Sequence, residues 1–353
     1  MKQPTTCMFR AALAAAILAV IAAVPNQLAA QKKVRVVTSL STYAAITREI
    51  VGDRGEVTSI GDGAENPHFV QPKPSFALRL KRADLLITTG LDLELWMPAL
   101  LDRANNAKIK SGSQGFVTAY TGVDLLDIPA SVNRSQGDIH LFGNPHIWTS
   151  PANAVIIGNN ILTGLKRVSP ENAEYFESRY SAWKEKVMRA YVGSALVDLL
   201  GVDVIFDLAR KNQLWSFLNK QKYQNKPLVT RVGGWLAQAK PFRGQRMVCY
   251  HKEWDYFSRA FQVPCVEYVE PKPGIPPTPK HVAAVITLMK TEHIPVLFST
   301  NYYDRGQVQS VASRTGAKAV IVPSNAGGAP HTDTYLDLVN LWIAQLAAAF
   351  GDQ

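Results

Sequence analysis

The sequence is not enriched in cysteine, glycine, proline or charged residues, the residue types that define several specialised classes of protein. It contains 3 cysteines, 23 glycines and 21 prolines, and charged residues make up only 19% of its 353 residues, whereas hydrophobic residues make up 47%. Disordered, collagen-like and coiled-coil chains need strongly biased compositions, so these classes are excluded. We expect a folded globular protein, and the length favours two packed units with ample apolar material for their cores.

Long apolar runs are also absent, with one exception between Ala11 and Val24. Basic residues precede this run and small residues follow it up to Ala30, and it is too short to form a stable membrane-spanning helix. These are the features of a secretory signal peptide, which we predict over residues 1–30. Because Cys7 lies before the run instead of at its end, we expect no lipid anchor. The predicted protein is periplasmic or secreted.

Removal of residues 1–30 leaves two cysteines, Cys249 and Cys265. Their number is even, the expected compartment is oxidising, and each lies in an apolar run typical of neighbouring strands. The sequence leaves two alternatives open, a disulfide bond or two buried free thiols.

Acidic residues are missing from the whole segment between Leu208 and Lys252. The same segment contains ten basic residues: Arg210, Lys211, Lys220, Lys222, Lys226, Arg231, Lys240, Arg243, Arg246 and Lys252. The formal charge of the whole chain is +10, and it falls to +8 without Lys2 and Arg10, so the rest of the mature chain is near −2. Export argues against nucleic acid as a partner. An anionic membrane surface, an acidic partner protein or a merely solvated face remain as alternatives.

Short β-branched runs alternate with helical patterns along the chain, which indicates parallel sheets with crossover helices. We predict strands at 34–38, 85–89, 247–250, 263–269, 296–299 and 317–322, and helices at 41–51, 93–102, 151–168, 255–261, 278–291, 305–315 and 332–350. The predicted fold is α/β, with two lobes that each contain a mostly parallel sheet flanked by helices.

The longest helical pattern opens at Ser169-Pro170-Glu171 and continues without glycine or proline to about Tyr191. It is longer than a typical crossover helix, so we interpret residues 169–200 as a rigid connector helix. The predicted domains are an N-terminal lobe at 31–168 and a C-terminal lobe at 201–353, with a basic insertion at about 203–239.

Several enzyme motifs are absent from the sequence. It has no G-x-G-x-x-G after the first strand, no G-x-x-x-x-G-K-S/T, no G-x-S-x-G, no H-E-x-x-H and no paired C-x-x-C. Dinucleotide binding, phosphate binding by a P-loop, hydrolysis at a nucleophile elbow and cysteine-rich zinc sites therefore lose support.

Three histidines lie where the chain restricts or positions them. His68 and His146 each follow an Asn-Pro pair, and proline lowers the entropy lost when a side chain is fixed as a ligand. His251 follows the predicted strand at 247–250, at the carboxyl edge where open α/β sheets place ligands. Neutral imidazoles suit zinc and other first-row divalent ions. His140, six residues before His146, is expected to have a structural or exposed role, with support or capture of the metal as the alternative.

These segments resemble the zinc and manganese substrate-binding proteins of bacterial ABC transporters, the class whose lobes are joined by a helix instead of a flexible hinge. The resemblance lies in Asn66-Pro67-His68 with the following P-x-P-S, in N-P-H-x-W at 144–148, and in Tyr250-His251 with the aromatic stretch after it. It implies that His68, His146 and His251 are metal ligands. It also implies a binding protein without enzymatic activity that captures Zn²⁺, with Mn²⁺ as the alternative, and delivers it to an inner-membrane ABC permease. We expect a monomer.

The resemblance leaves the fourth ligand open, because the aspartate that the family has after its last strand is missing. The chain reads Ile321-Val322-Pro323-Ser324-Asn325 at that place, and Asn325 is the nearest match. Water, Asp304 and Asp333 are the alternatives. Three histidines and a water could also present catalytic zinc, so a zinc hydrolase with Glu253 as its base is the alternative function.

Overall fold

The computed structural model describes residues 32–129, 140–272 and 274–351. The predicted signal peptide lies outside the described residues. Residues Val34–Gln353 form one contact unit. Among the described residues, no helix combines the length and the apolar character needed to cross a membrane.

The amino-terminal sheet is parallel, as the alternating pattern predicted, and it contains four strands, of which the sequence predicted the two at 34–38 and 85–89. The four strands are β1 (Val34–Thr38), β2 (Gly55–Ser59), β3 (Leu85–Thr88) and β4 (Phe116–Thr118), in the order β2-β1-β3-β4. The helices of this part are α1 (Ser41–Val51), α2 (Pro74–Arg82) and α3 (Met97–Ala104). The chain passes from β1 to β2 on one side of β1 and then crosses to β3 on the other side. The carboxyl end of β1 is therefore a topological switch point of the sheet.

Two long helices occupy the middle of the chain, α4 (Pro151–Val168) and α5 (Ala173–Val192). The Ser150 side chain caps α4 by accepting a hydrogen bond from the backbone N–H of Asn153. Helix α5 corresponds to the main part of the connector predicted at 169–200, which is not one continuous helix, and it buries Phe176, Trp183 and Val187. It ends at Gly193, whose φ of 89° favours glycine, and the shorter helix α6 (Ser194–Leu200) follows.

The carboxyl-terminal part begins with short elements and then forms a second parallel sheet. The short elements are α7 (Val202–Arg210), α8 (Leu214–Lys220), an antiparallel hairpin of β5 (Lys222–Tyr223) and β6 (Lys226–Pro227), and α9 (Gly234–Gln238). The sheet contains β7 (Met247–Cys249), β8 (Cys265–Tyr268), β9 (Val296–Thr300) and β10 (Lys318–Val322), in the order β10-β9-β7-β8. Its helices are α10 (Asp255–Phe261), α11 (Pro279–Thr291), α12 (Arg305–Thr315) and α13 (Tyr335–Gly351).

One hydrophobic core continues from the first sheet to the second. It includes Val36 of β1, Trp183 of α5 and Phe298 of β9. A hydrogen bond also connects the two parts. Trp148 Nε1 donates to the carbonyl oxygen of Ser324 at 2.7 Å. The sheets are therefore held together by packed side chains in addition to the connector helix.

The helix predicted at 93–102 begins later than expected, at Met97. Gly90, Leu91 and Asp92 adopt positive φ angles of 80°, 59° and 63°, which a helix cannot contain. The buried Glu94 carboxylate accepts hydrogen bonds from the backbone N–H groups of Thr89 at 2.7 Å and of Gly90 at 3.3 Å. This local network replaces the first helical turn.

Cys249 and Cys265 form a disulfide bond, which resolves the alternative that the sequence left open. Their Cα atoms are 5.4 Å apart, within the usual range for a disulfide. The bond joins β7 to its neighbour β8, two residues before His251.

The disulfide should contribute measurably to stability. It closes a loop with a sequence separation of 16 residues, for which loss of loop-closure entropy in the unfolded chain predicts about 3 kcal/mol. In residues 31–353, substitution of both cysteines by alanine should lower the free energy of unfolding in urea by about 2–3 kcal/mol. Dithiothreitol should destabilise the wild type similarly and leave the double variant unchanged. Equal stability of the oxidised and reduced wild type would contradict the assignment.

Candidate metal centre

Three loops at the carboxyl ends of parallel strands carry the histidines that the sequence singles out. His68 lies in the connection from β2 to α2, His146 in the connection from β4 to α4, and His251 just after β7. Strand β7 is the switch strand of its sheet, since β8 and β9 lie on its two sides. Ligand sites of open α/β sheets form at such positions.

The side chain of Asn66 fixes the orientation of His68. Asn66 Oδ1 accepts hydrogen bonds from the His68 backbone N–H at 3.1 Å and from its ring Nδ1 at 2.9 Å. An atom that accepts from a backbone N–H is an oxygen, so the Nδ1 facing it carries the proton. The lone pair of His68 is then on Nε2, which lies within hydrogen-bond distance of His140 Nε2. The loop itself is anchored where Trp96 Nε1 donates to the carbonyl oxygen of Pro67 at 2.9 Å.

The second Asn-Pro-His segment repeats this arrangement. Asn144 Oδ1 accepts from the His146 backbone N–H at 3.1 Å and from His146 Nδ1 at 2.9 Å. Asn144 is in turn anchored to the carboxyl-terminal part, because its Nδ2 donates to the carbonyl oxygen of Lys252 at 2.7 Å. The Tyr256 hydroxyl donates to the Asn144 carbonyl oxygen at 2.8 Å. The histidine loop of one part is thus tied to the other.

The orientation of His251 depends on the neighbouring strand. His251 Nδ1 donates to the carbonyl oxygen of Glu270 at 2.7 Å, just beyond the end of β8. The ladder between the two strands continues up to this point, since the Glu270 backbone N–H donates to the Tyr250 carbonyl oxygen at 2.7 Å. His251 Nε2 is consequently directed away from this strand pair.

The structure brings these three histidines together and adds a fourth, His140. One ring nitrogen from each of the four lies within 4.8 Å of the others. The Nε2 atoms of His68 and His140 are 3.1 Å apart, close to the separation of about 3.3 Å expected for two nitrogens on one tetrahedral zinc. The Nε2 atoms of His146 and His251 are buried and have no hydrogen-bond partner in the part of the chain that the structure describes. The arrangement can hold a divalent cation on four nitrogens.

Burial keeps these imidazoles neutral, the form in which histidine binds metals. Desolvation lowers the pKa of His140 to about 3 and the pKa of His251 to about 4. Desolvation, reinforced by the neighbouring histidines, also holds the pKa values of His68 and His146 well below the ordinary value. At neutral pH the charged imidazolium form therefore does not compete with a cation for these nitrogens.

His140 was expected to have a structural or exposed role, and its place in the cluster is the main feature that sequence reasoning missed. It has no Asn-Pro pair before it and no predicted strand next to it. The signal in the sequence was only its short distance from His146. In the folded protein the two imidazole rings lie close together, with their centroids 5.7 Å apart.

The other sequence candidates have different surroundings. Asn325 is buried, and its Oδ1 accepts a hydrogen bond from the Thr42 hydroxyl at 2.8 Å. Asp304 caps α12 by accepting from the Gln307 backbone N–H, and Asp333 is exposed. Neither aspartate belongs to the histidine cluster of the described residues.

Glu253, the proposed base of the alternative hydrolase, forms hydrogen bonds with groups outside the histidine cluster. Its carboxyl group is buried and accepts hydrogen bonds from the hydroxyls of Thr300 at 2.7 Å and Tyr302 at 2.5 Å. Burial raises its pKa to about 8. Like the two aspartates, it is not part of the histidine cluster.

Comparison with known proteins supports a metal-transport assignment. The family model for the zinc-uptake complex component A, periplasmic (ZnuA), matches residues 36–191 and 228–349, well over half of the chain. The iron-binding protein YfeA of Yersinia pestis is 27% identical over 323 residues, which cover 91% of this chain and 87% of that protein. The manganese ABC transporter substrate-binding lipoprotein PsaA of Streptococcus pneumoniae is 24% identical over 79% of this chain and 76% of its own length.

A solved structure shows the same fold. The crystal structure of ZnuA superposes with a TM-score of 0.66 at 18% sequence identity and covers 90% of this chain and 99% of that one. The two parallel sheets and the long central helix are therefore the ZnuA fold. The chain belongs to the ZnuA family of periplasmic components, and it is a solute-binding protein for a divalent metal ion in ABC transport and not an enzyme.

Proposed function

We propose that this protein captures Zn²⁺ on His68, His140, His146 and His251 and delivers it to an inner-membrane ABC permease. One observation carries the proposal: four neutral imidazoles converge, and two of them present buried Nε2 atoms that no group in the described part of the chain satisfies. A buried polar atom without a partner costs about 1–3 kcal/mol. Coordination of a cation would remove this cost.

The donor set favours zinc over manganese. Imidazole nitrogens suit zinc, copper, nickel and iron, whereas manganese is better served by carboxylates, carbonyls and water. No carboxylate belongs to the cluster among the described residues. The named relatives bind iron and manganese, so the family alone does not decide the metal, and the choice rests on this chain's own nitrogens. Four nitrogens also match the tetrahedral coordination that zinc adopts in closed sites.

For the fourth ligand we favour His140 over Asn325. His140 Nε2 already lies 3.1 Å from His68 Nε2, whereas the amide oxygen of Asn325 is engaged by Thr42. An amide oxygen is also a weaker ligand for zinc than an imidazole. In this arrangement Asn325 holds the loop after β10 against α1.

Release would depend on where the ligands come from. His68 and His146 follow strands of the amino-terminal sheet, and His251 follows a strand of the other. Because both sheets share one core, we propose small shifts and loop rearrangements instead of a wide opening. Contact with the permease would separate His251 from the other ligands.

Metal titration tests the ligand set. Residues 31–353 should bind one zinc ion per chain, and zinc should displace manganese. Alanine substitution of His68, His140, His146 or His251 should weaken zinc binding by more than about 100-fold, the upper limit for residues that only orient ligands. The effect of Asn325→Ala should stay below about 10-fold.

His293→Asn provides the matched control for this titration. His293 is exposed, lies outside the cluster and has a φ of 51°, which asparagine tolerates. Its zinc affinity should equal that of the wild type. Equal affinity for manganese and zinc would contradict the choice of metal, and an unchanged affinity of His140→Ala would exclude His140 as the fourth ligand.

Asn66 provides a test of ligand orientation. Asn66→Leu removes the oxygen that holds His68 Nδ1, so zinc affinity should fall about 10- to 100-fold with an unchanged stoichiometry. Asn66→Asp keeps an acceptor and adds a negative charge behind the imidazole, so it should bind zinc at least as tightly as the wild type. Competition with a chromogenic chelator measures both. Equal losses in the two variants would show that Asn66 acts through the loop and not through the imidazole.

A further inference from the structure

The basic segment contains a hairpin that the family model does not account for. The match to the family ends at residue 191 and resumes at 228, so α8, β5 and β6 lie outside the residues that the family model matches. Gln224 and Asn225 form the two-residue loop of the hairpin, with φ angles of 50° and 62°. Positive φ at both positions is the signature of a tight hairpin turn. The turn at Gln224 and Asn225 therefore has a defined conformation.

The arginines of the basic segment already have partners within the protein. Arg210 pairs with Asp207 at 2.7 Å, and Arg246 pairs with Glu292. The guanidinium of Arg231 lies 4.7 Å from the ring centroid of Tyr223, and that of Arg243 lies 4.4 Å from Trp215. These contacts occupy the guanidinium groups of the four arginines. Guanidinium groups are the side-chain cations that recognise carboxylates most specifically.

The lysines around the hairpin are in a different situation. Lys220, Lys222 and Lys226 are exposed, and within the described residues none of them forms a salt bridge. Tyr223 pairs across the hairpin with Lys226 and is 39% exposed. A half-exposed tyrosine flanked by cations has the amphipathic character of residues that lie at a membrane interface. We call these four residues the hairpin patch.

We propose that the hairpin patch binds the anionic headgroups of a phospholipid bilayer. Specific protein interfaces are enriched in arginine and depleted in lysine, whereas a bilayer surface attracts flexible point charges without demanding a fixed geometry. The patch offers lysines, and its neighbouring arginines are occupied. No acidic residue between Leu208 and Lys252 opposes this attraction. Membrane attachment here would keep the protein near a membrane-embedded transporter by a contact independent of the histidine cluster.

Vesicle sedimentation tests the proposal with residues 31–353, which lack the N-terminal apolar run. The protein should bind vesicles made of equal parts of phosphatidylglycerol and phosphatidylcholine, should not bind pure phosphatidylcholine, and should dissociate at high salt. The triple substitution Lys220→Gln, Lys222→Gln and Lys226→Gln should weaken binding about 100-fold, since each lysine near an anionic surface contributes roughly fivefold.

A variant with the same change in charge provides the control. Lys81, Lys280 and Lys290 are exposed lysines outside the basic segment, and their combined substitution by glutamine should leave vesicle binding within about twofold of the wild type. Zinc binding should be unchanged in both triple variants, so failure of this proposal can be told apart from failure of the proposed metal site. If both triple variants lost the same vesicle affinity, net charge alone would explain the binding, and the proposal would be overturned. Absence of vesicle binding, with the hairpin variant instead losing affinity for a detergent-solubilised transporter, would overturn it in favour of an acidic protein partner.

Discussion

The hydrogen bonds at Nδ1 of His68, His146 and His251 are the contacts on which the metal centre depends. Asn66, Asn144 and the main chain of Glu270 each place an oxygen 2.7–2.9 Å from this nitrogen. Each bond fixes the tautomer and directs Nε2 towards a common point. Two of these Nε2 atoms are buried and have no partner among the residues that the structure describes, and the fold tolerates their cost because it is small beside the shared hydrophobic core. The centre is thus preorganised, and binding requires little reordering of side chains.

The same bonds explain why the centre needs both sheets. Asn144 belongs to the connection before α4, yet it is anchored to the carbonyl oxygen of Lys252 and to the hydroxyl of Tyr256. His251 depends on β8 through Glu270, and the disulfide ties β8 to β7 immediately before it. A shift of one sheet relative to the other would therefore change the position and the orientation of the ligands together. The geometry couples metal affinity to the relative placement of the two parts.

Most of the architecture could be predicted because its signals are local. The helices 41–51, 151–168, 255–261 and 305–315 have the predicted bounds, as their apolar spacing, prolines and caps lie within each segment. His68, His146 and His251 could be selected because proline or a strand end marks them. His140 could not, since the sequence before it has no periodic pattern and neither a proline nor a strand end marks it. The disulfide also depends on a distance between segments, which local patterns do not contain.

The absence of charge in the ligand shell has a consequence for transport. All four proposed ligands are neutral, and the groups that orient three of them are amide or main-chain oxygens instead of carboxylates. A bound dication would keep much of its charge uncompensated in a buried site, which weakens binding relative to a shell that contains a carboxylate. Geometry, with four convergent nitrogens, then supplies most of the affinity. A site whose affinity depends on geometry loses its cargo when one ligand moves, so a small displacement of His251 would suffice to release the metal.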